Sequence, residues 1–290
     1  MTVPFDISDQ AVVLDAAAFR RVAVIAERQA GLSIPEAKRS MVQSRLTRRL
    51  KATGLHQFED YLDLVESKAG SEEQAHMISA LTTNVSHFFR EDHHFSILRE
   101  MVTKIQDDPS RQRRLRIWSA GCSTGQEAYS VAMTLLDVLA DASDWDIRIL
   151  ATDIDRRVLG VAKRGVYRES ELTSIDPKLR KLGFRQTGDG FEICDDVRKL
   201  IAFRTLNLIA DWPMSGPFDV IFCRNVLIYF SEDTQRTLWP RFRGLLRVGG
   251  TLFLGHSERI PDPAQDGFRV TGITTYCGIP QDGQEPGHGA

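Results

Sequence analysis

The chain has 290 residues, of which 42% are hydrophobic and 26% charged, as in ordinary globular proteins. Its formal net charge of -2 argues against general nucleic-acid binding, for which strongly basic domains are typical. The sequence has no apolar run long enough to span a bilayer, and its start, MTVPFDISDQ, lacks the features of a secretory signal. The four cysteines include no CxxC pair, which favours reduced thiols in a cytoplasmic protein over a disulfide framework or a zinc site.

The first part of the chain, residues 1–85, is predicted to be a small helical domain. Three segments have apolar residues at the spacing of amphipathic helices. They are DAAAFRRVAVIAERQ, PEAKRSMVQSRLTRRLKATG and HQFEDYLDLVESKAG. Gly31, Gly54 and Gly70 stand where helices are expected to stop.

Strands and helices alternate in residues 86–280, which predicts an α/β domain with a doubly wound parallel sheet. The strands are LRIWSAG, IRILATDI, FDVIFCRN and TLFLGHS, and FRVTGITTYCGI could add an edge strand. The segment FRQTGDGFEICDD is typical of a hairpin and predicts a small antiparallel β subdomain at about 170–205. The polar, glycine-rich residues 281–290 are expected to be loose.

Three strand ends, in SAGCSTGQE, ATDID and FCRN, carry polar residues at the edge where such sheets bind ligands. Gly121 and Gly125 would let a ligand approach the backbone, and Asp153 suits the hydroxyls of a ribose. Glu127 would repel a pyrophosphate but would suit the cationic groups of S-adenosylmethionine, and the loop lacks the third glycine of a dinucleotide fingerprint. Two structural alternatives stay open: the glycines only form a tight turn, or Asp153 only caps the next helix.

The sequence resembles the chemotaxis-receptor glutamate methyltransferases of the CheR type. The resemblance covers nearly the whole chain and rests on six motifs in a fixed order. They are LTTNVSHFFR, WSAGCSTGQEAYS, ATDID, FRTLNL, FDVIFCRNVLIYF and LFLGHSE.

The resemblance implies a Rossmann-like methyltransferase domain that binds S-adenosyl-L-methionine and releases S-adenosyl-L-homocysteine. It places the reacting methyl near Arg90 and Tyr229. A core aromatic is the equally weighted alternative for Tyr229. The cofactor-binding residues that it implies are Asn84, Ser86, Arg90, Glu127, Asp153, Asn207, Leu208, Arg224 and Asn225. Ser86 departs from the family's usual threonine but keeps the hydroxyl.

The implied substrate is a glutamate side chain in the cytoplasmic methylation helices of chemoreceptors. A glutamate is ionised near neutral pH, so the reaction needs alignment of the two reactants rather than a general base. Arg90 could grip a carboxylate of either the donor or the target.

The segment KRSMVQSRLTRRLK carries six basic residues and no acidic one. Its helical spacing predicts that Arg45, Arg48 and Arg49 face outward, either as a solvated face or as a cradle for an acidic receptor helix. The family context favours the cradle.

Other features are less informative. His87, His93 and His94 are close in sequence, but their spacing does not favour a metal site. Cys122 and Cys223 are expected to be packing residues, and His256 could line the pocket or belong to a cap. Some family members tether a receptor-tail pentapeptide through a longer glycine-rich loop, and the short RQTGDGFEI predicts that this chain does not. Neither nucleic acid nor direct membrane insertion is expected.

Three other functions stay open at this point. The chain could methylate RNA or a small molecule, transfer hydride on the same kind of sheet, or bind S-adenosylmethionine as a non-catalytic adaptor. Glu127 and the missing third glycine argue against hydride transfer. The joint presence of Arg90, Glu127, Asp153, Asn225 and Tyr229 argues against the adaptor.

Overall fold

A computed structural model describes residues 12–108, 112–139, 141–188 and 190–280. These residues form two compact units, one ending at Thr83 and the other beginning at Asn84. The tail that the sequence predicts to be loose, residues 281–290, lies outside the described residues. In the described part of the chain no helix has the length and apolar character needed to cross a membrane.

The described residues of the first unit form four α-helices: α1 (Ala16–Ala30), α2 (Arg39–Thr53), α3 (Phe58–Glu66) and α4 (Ser71–Leu81). The Asp15 carboxylate accepts the Ala18 N–H at 2.7 Å and so caps the start of α1. Gly31 and Gly54 end α1 and α2 in the left-handed conformation that favours glycine, as predicted.

Gly70 does not end a helix in the way the sequence predicts. Helix α3 stops at Glu66, and Gly70 comes directly before α4. A Cβ atom on Gly70 would lie 1.8 Å from the carbonyl oxygen of Leu64, so close packing requires glycine there. The sequence pattern also misses α4 as a separate helix.

The second unit contains the strands of both sheets. They are β1 (Arg114–Ala120), β2 (Asp146–Asp153), β3 (Val166–Tyr167), β4 (Phe184–Thr187), β5 (Gly190–Ile193), β6 (Ile201–Thr205), β7 (Phe218–Cys223), β8 (Leu246–Leu254), β9 (Phe268–Gly272) and β10 (Thr275–Gly278). Its helices are α5 (His93–Gln106), α6 (Gln126–Val138), α7 (Arg156–Arg164), α8 (Pro177–Gly183), α9 (Asp195–Arg198) and α10 (Glu232–Leu245).

Seven strands form the main sheet in the order β6-β2-β1-β7-β8-β10-β9. The first five are parallel, whereas β10 and β9 form an antiparallel hairpin at the edge. This arrangement confirms the predicted α/β class and the added edge strands. Apolar side chains of the sheet are buried, and Ile117, Phe222 and Phe253 share one core with Phe95 of α5. Trp118 is also buried and packs against Phe242 of α10.

A small antiparallel sheet in the order β3-β5-β4 confirms the predicted hairpin. Thr187 pairs with Gly190, so only two residues join β4 to β5. The sheet begins at Val166 and ends at Ile193, a little earlier than the expected range. The segment Ile201–Thr205 instead pairs in parallel with β2 of the main sheet, and its Phe203 is buried in the core of that sheet.

Candidate functional site

The carboxyl ends of β2, β1 and β7 lie side by side, because β1 pairs with both of the other strands. Backbone strain is concentrated in the segments around these ends. Four residues other than glycine have positive φ there: Phe89 at 53°, Glu91 at 56°, Ser123 at 50° and Asn225 at 59°. Such conformations cost on the order of 1–3 kcal/mol each and cluster at functional sites, although Arg113 and Thr274 also have positive φ.

Close packing requires both glycines in the glycine loop, residues 121–125, which joins β1 to α6. A Cβ on Gly121, whose φ is 83°, would lie 2.3 Å from the Val226 side chain. A Cβ on Gly125, whose φ is 99°, would lie 3.0 Å from the Cβ of Ala162. The tight turn therefore accounts for both glycines, and the case for a ligand depends on the polar groups around the loop.

Asp153 is buried and fastens the glycine loop. Its Oδ2 accepts the Ser123 N–H at 2.8 Å, and its Oδ1 accepts the Asp155 N–H at 2.9 Å. Burial raises the pKa of Asp153, and these N–H groups oppose the rise. Asp153 does not cap the next helix, since Asp155 accepts the Arg157 N–H and caps α7. The Ile154 N–H also contacts this carboxylate, which with about four acceptor positions keeps room for a hydroxyl donor.

The segment that begins the second unit is bonded to the same loop. The Asn84 side-chain amide donates to Oδ2 of Asp155 at 2.9 Å, and the Asn84 carbonyl accepts the Ser123 hydroxyl at 2.8 Å. Ser86 lines a polar cavity of about 320 Å³. The other residues around this cavity are His87, Gln126, Ser170, Glu171, Thr173 and Ser174.

Arg224, which follows β7, is the buried centre of a charged cluster. Its side chain is 2% exposed. Its Nε lies 3.3 Å from Oε2 of Glu127 and 3.7 Å from Oε2 of Glu91, and its guanidinium donates to the Arg90 carbonyl. The guanidinium carbon is 5.6 Å from the centre of the Phe95 ring. The structure therefore brings the side chains of Glu127 and Arg224 together with the backbone of Arg90, whereas the Arg90 guanidinium donates to the Val85 carbonyl at 3.3 Å.

The two carboxylates in this cluster differ in their environment. Burial raises the pKa of Glu127, while Arg224 and the Ser119 hydroxyl, at 2.6 Å, oppose the rise. Burial also acts on Glu91, but Arg224 and His256 outweigh it and lower the pKa of Glu91. With both carboxylates ionised, two negative charges and one positive charge leave a net charge of -1, which favours a cationic ligand.

Several buried polar atoms of the site make no hydrogen bond to any residue that the structure describes. They are Nε and Nη1 of Arg224, Nδ2 of Asn225 and Oε2 of Glu91. Such atoms cost roughly 1–3 kcal/mol each when they stay unsatisfied. Nε of Arg224 and Oε2 of Glu91 already lie in ion pairs of the cluster, which leaves Nη1 of Arg224 and Nδ2 of Asn225 as donors that match a carboxylate. The carboxylates of Glu91 and Glu127 match an ammonium group, so the residues fit the amino-acid end of S-adenosylmethionine.

Asn207 and Leu208 lie beside Asp153, because the Leu206 N–H donates to the Asp153 carbonyl at 3.0 Å. The Asn207 side chain accepts the Ile209 N–H at 3.2 Å, and Leu208 is buried. Tyr229 lies in a one-turn 3-10 helix after β7 and is partly exposed, which does not favour the core alternative.

Two residues of the site region are missed by the sequence analysis. Glu91 contacts Arg224, and Glu258 contacts the segment after β7. The position of Glu91 directly after the NVSHFFR stretch is a signal that could have identified it. The HSE motif is a second signal, because Glu258 is its acidic member.

The expectation that Arg45, Arg48 and Arg49 all face outward is wrong for two of them. Arg45 donates to the carbonyls of Leu81 and Thr82 at 2.8 and 3.0 Å, at the end of α4. Arg49 forms a two-bond ion pair with Glu73, at 2.9 and 2.6 Å. Of the three, only Arg48 is exposed, and the other two are half-buried. All three belong to the helical unit.

The remaining candidates have local contacts. His94 is buried, its Nε2 lies 3.0 Å from the Thr274 hydroxyl, and burial lowers its pKa to about 3. Cys122 and Cys223 are buried, and burial raises the pKa of both thiols. Across the described ranges of the chain, no group of three or more His, Cys, Asp or Glu is arranged to hold a metal ion.

Residues 84–277 match the family described as "CheR methyltransferase, SAM binding domain", and residues 17–82 match "CheR methyltransferase, all-alpha domain". A Rhizobium etli protein named "Probable chemotaxis protein methyltransferase" is 47% identical over 252 residues, which are 85% of this chain and 94% of that protein. The "Chemotaxis protein methyltransferase" of Klebsiella aerogenes is 41% identical over 272 residues, covering 92% and 91%. The Escherichia coli protein of that name is 41% identical over 270 residues, covering 91% of each. The chain belongs to the CheR family of S-adenosylmethionine-dependent chemotaxis methyltransferases.

Proposed function

We propose that this chain transfers the methyl group of S-adenosyl-L-methionine to the side-chain carboxylate of glutamates in chemoreceptor methylation helices. The products are glutamate methyl esters and S-adenosyl-L-homocysteine. The observation that carries the proposal is the buried cluster around Arg224, in which two carboxylates face one guanidinium while Nη1 of Arg224 and Nδ2 of Asn225 make no hydrogen bond to a described residue. The names of the relatives support a substrate in the chemotaxis system.

The donor is held by residues at the carboxyl edge of the main sheet. Glu127 and Glu91 accept its ammonium group, and Arg224 and Asn225 donate to its carboxylate. Asp153 accepts the ribose hydroxyls, and Asn84 and Ser86 close the site from the segment that precedes α5. Asn207 and Leu208 flank the adenine. These roles agree with the hydrogen bonds of the described residues, which leave acceptor capacity on Asp153 and Glu91.

Arg90 and Tyr229 act on the reacting groups. S-adenosylmethionine supplies a methyl carbon attached to a positively charged sulfur, and an ionised carboxylate attacks such a carbon without a general base. Alignment of the reactants can contribute roughly 7–11 kcal/mol to lowering the barrier. The partly exposed Tyr229 orients the target carboxylate through its hydroxyl, and the guanidinium of Arg90 binds a carboxylate.

Receptor docking is assigned to the exposed basic side of α2. Arg48 and Lys51 are exposed and three residues apart, so they lie on the same side of the helix. Arg45 and Arg49 support that helix through their contacts with α4. Such a surface speeds the encounter with an acidic receptor helix and is weakened by salt.

The short hairpin supports the proposal that no receptor-tail pentapeptide is tethered, since only two residues join β4 to β5. Calorimetry with such a pentapeptide tests this point, and appreciable affinity would contradict it. We also propose a cytoplasmic location, where the methylation helices and reduced cysteines would be found.

The test is incubation of the purified protein with labelled donor and membranes that carry receptors. Methyl esters release the label as methanol in mild alkali, whereas N-methyl and ribose-methyl groups do not. Alkali-labile label on receptor supports the proposal. Alkali-stable label would indicate a methyltransferase for another substrate, and donor binding without any turnover would indicate an adaptor.

A further inference from the structure

We infer that Glu258 is a positioning residue for the donor site, acting through the backbone of the segment that carries Arg224, Asn225 and Tyr229. Glu258 follows β8 and is 4% exposed. Its two carboxylate oxygens accept five backbone N–H groups. Oε2 accepts those of Asn225 at 2.9 Å and Gly255 at 2.6 Å, and Oε1 accepts those of Val226 at 2.9 Å, Leu227 at 2.7 Å and Ile228 at 3.3 Å.

These five contacts are the reason that a carboxylate can be buried here. Glu258 forms no ion pair with any residue that the structure describes, so the N–H groups take the place of a cation. Burial raises the pKa of Glu258, and the N–H groups oppose that rise. An ionised carboxylate accepts at both oxygens, which neither an amide nor an apolar side chain can reproduce.

The segment needs such support because its backbone is strained. Asn225 has a φ of 59°, in the left-handed region. A Cβ on Gly255 would lie 2.6 Å from Nδ2 of Asn225 and 2.8 Å from Oε2 of Glu258, so the three groups are in close contact. Glu258 therefore stabilises the conformation that sets the direction of the unpaired Nδ2 of Asn225.

The inference rests on the assignment of Arg224 and Asn225 to the donor site in the proposed function. Arg224 comes directly before the segment that Glu258 holds, and Tyr229 comes directly after it. A change at Glu258 should thus alter donor affinity and methyl alignment without removing any group that contacts the donor. It should not alter the rest of the main sheet.

The experiment measures the Kd of S-adenosylmethionine by calorimetry and the free energy of unfolding in urea for Glu258→Gln and Glu258→Asp. We expect Glu258→Gln to raise the Kd about tenfold or more. The glutamine side chain has an NH2 group in place of one carboxylate oxygen, and this group cannot accept the backbone N–H groups that it would face. Glu258→Asp keeps the charge and should recover part of the affinity. If Glu258→Gln does not fold, Glu258→Asp carries the test, with a smaller rise in Kd.

The matched control is Asp219→Asn. Asp219 is another buried carboxylate on β7, but at the opposite end of the strand, where it accepts the Arg116 N–H at 2.8 Å and pairs with Arg247 at 3.2 Å. We expect it to lower stability while leaving the donor Kd unchanged. A wild-type Kd for both Glu258 variants, or an equal rise in Kd for Asp219→Asn, would overturn the inference.

A further variant, Asn225→Ser, separates this inference from the proposed function. If Asn225→Ser weakens donor binding while both Glu258 variants do not, only the role of Glu258 is wrong. If Asn225→Ser binds the donor as the wild type does, the donor site itself is wrongly assigned and the inference falls with it.

Discussion

Replacement of Arg49 by alanine tests whether this residue supports the helical unit rather than the receptor. Arg49 donates to both oxygens of Glu73, at 2.9 and 2.6 Å, and the Tyr61 hydroxyl donates to the same carboxylate at 2.8 Å. The side chain of Arg49 is 25% exposed and that of Glu73 is 10% exposed. Arg49→Ala would therefore leave Glu73 buried with one partner.

The expected loss follows from the two bonds that disappear. Hydrogen bonds to charged groups contribute roughly 1.5–3 kcal/mol each, and water can replace part of the contact at the exposed quarter of Arg49. We expect Arg49→Ala to lower the free energy of unfolding by about 2–4 kcal/mol at pH 7. Burial raises the pKa of Glu73, but Arg49 and Tyr61 outweigh it, so the pKa is lowered. The loss should therefore shrink as the pH falls below about 4, where this contribution disappears.

Urea unfolding of Arg49→Ala and Arg48→Ala provides the measurement. Arg48 is exposed on the same helix, so its variant should stay within about 0.5 kcal/mol of wild type. In the receptor assay at low salt, Arg48→Ala should methylate more slowly although its donor Kd is unchanged. Equal stability of Arg49→Ala and wild type would refute the structural role of Arg49, and unchanged methylation by Arg48→Ala would refute the docking role of Arg48.

Three other changes have expected outcomes. Asp153→Asn should weaken donor binding in calorimetry by roughly 1.5–3 kcal/mol, the worth of a hydrogen bond to a charged group, and an unaltered Kd would remove Asp153 from the site. His94, whose pKa is lowered to about 3, stays neutral in the folded protein but becomes protonated in the unfolded chain below pH 6.5. Between pH 7 and pH 5 the free energy of unfolding should therefore fall by about 2 kcal/mol more for the wild type than for His94→Gln. An equal fall for both proteins in urea unfolding would contradict this. Gly121→Ala should raise the donor Kd and lower the free energy of unfolding, because its Cβ would lie 2.3 Å from the Val226 side chain. Adding Val226→Ala should restore only part of both quantities, since the positive φ of residue 121 still disfavours alanine. Full recovery in the double variant would argue against backbone strain.

The sequence determined the features that depend on local spacing. Helical periodicity, glycine stops and apolar strands with helices between them predicted the helical unit and the parallel sheet. The rule that ligands bind at the carboxyl ends of such strands then indicated Glu127 and Asp153, and the family resemblance added Arg224. The fold predictions are confirmed because each of them depends on residues within a few positions along the chain. The strand ends meet as expected because a parallel sheet must bring them to one edge.

Only the tertiary structure decided which polar side chains pair with one another. Arg49 and Glu73 are 24 residues apart, and Glu258 and Asn225 are 33 apart. No spacing rule links positions so distant, because folding brings them together through the packing of whole helices and strands. The same limit explains why Arg45 was expected in solvent and why Glu91 and Glu258 were missed. A helix period tells which side of a helix is apolar, whereas the partner of a charged group depends on the element packed against it.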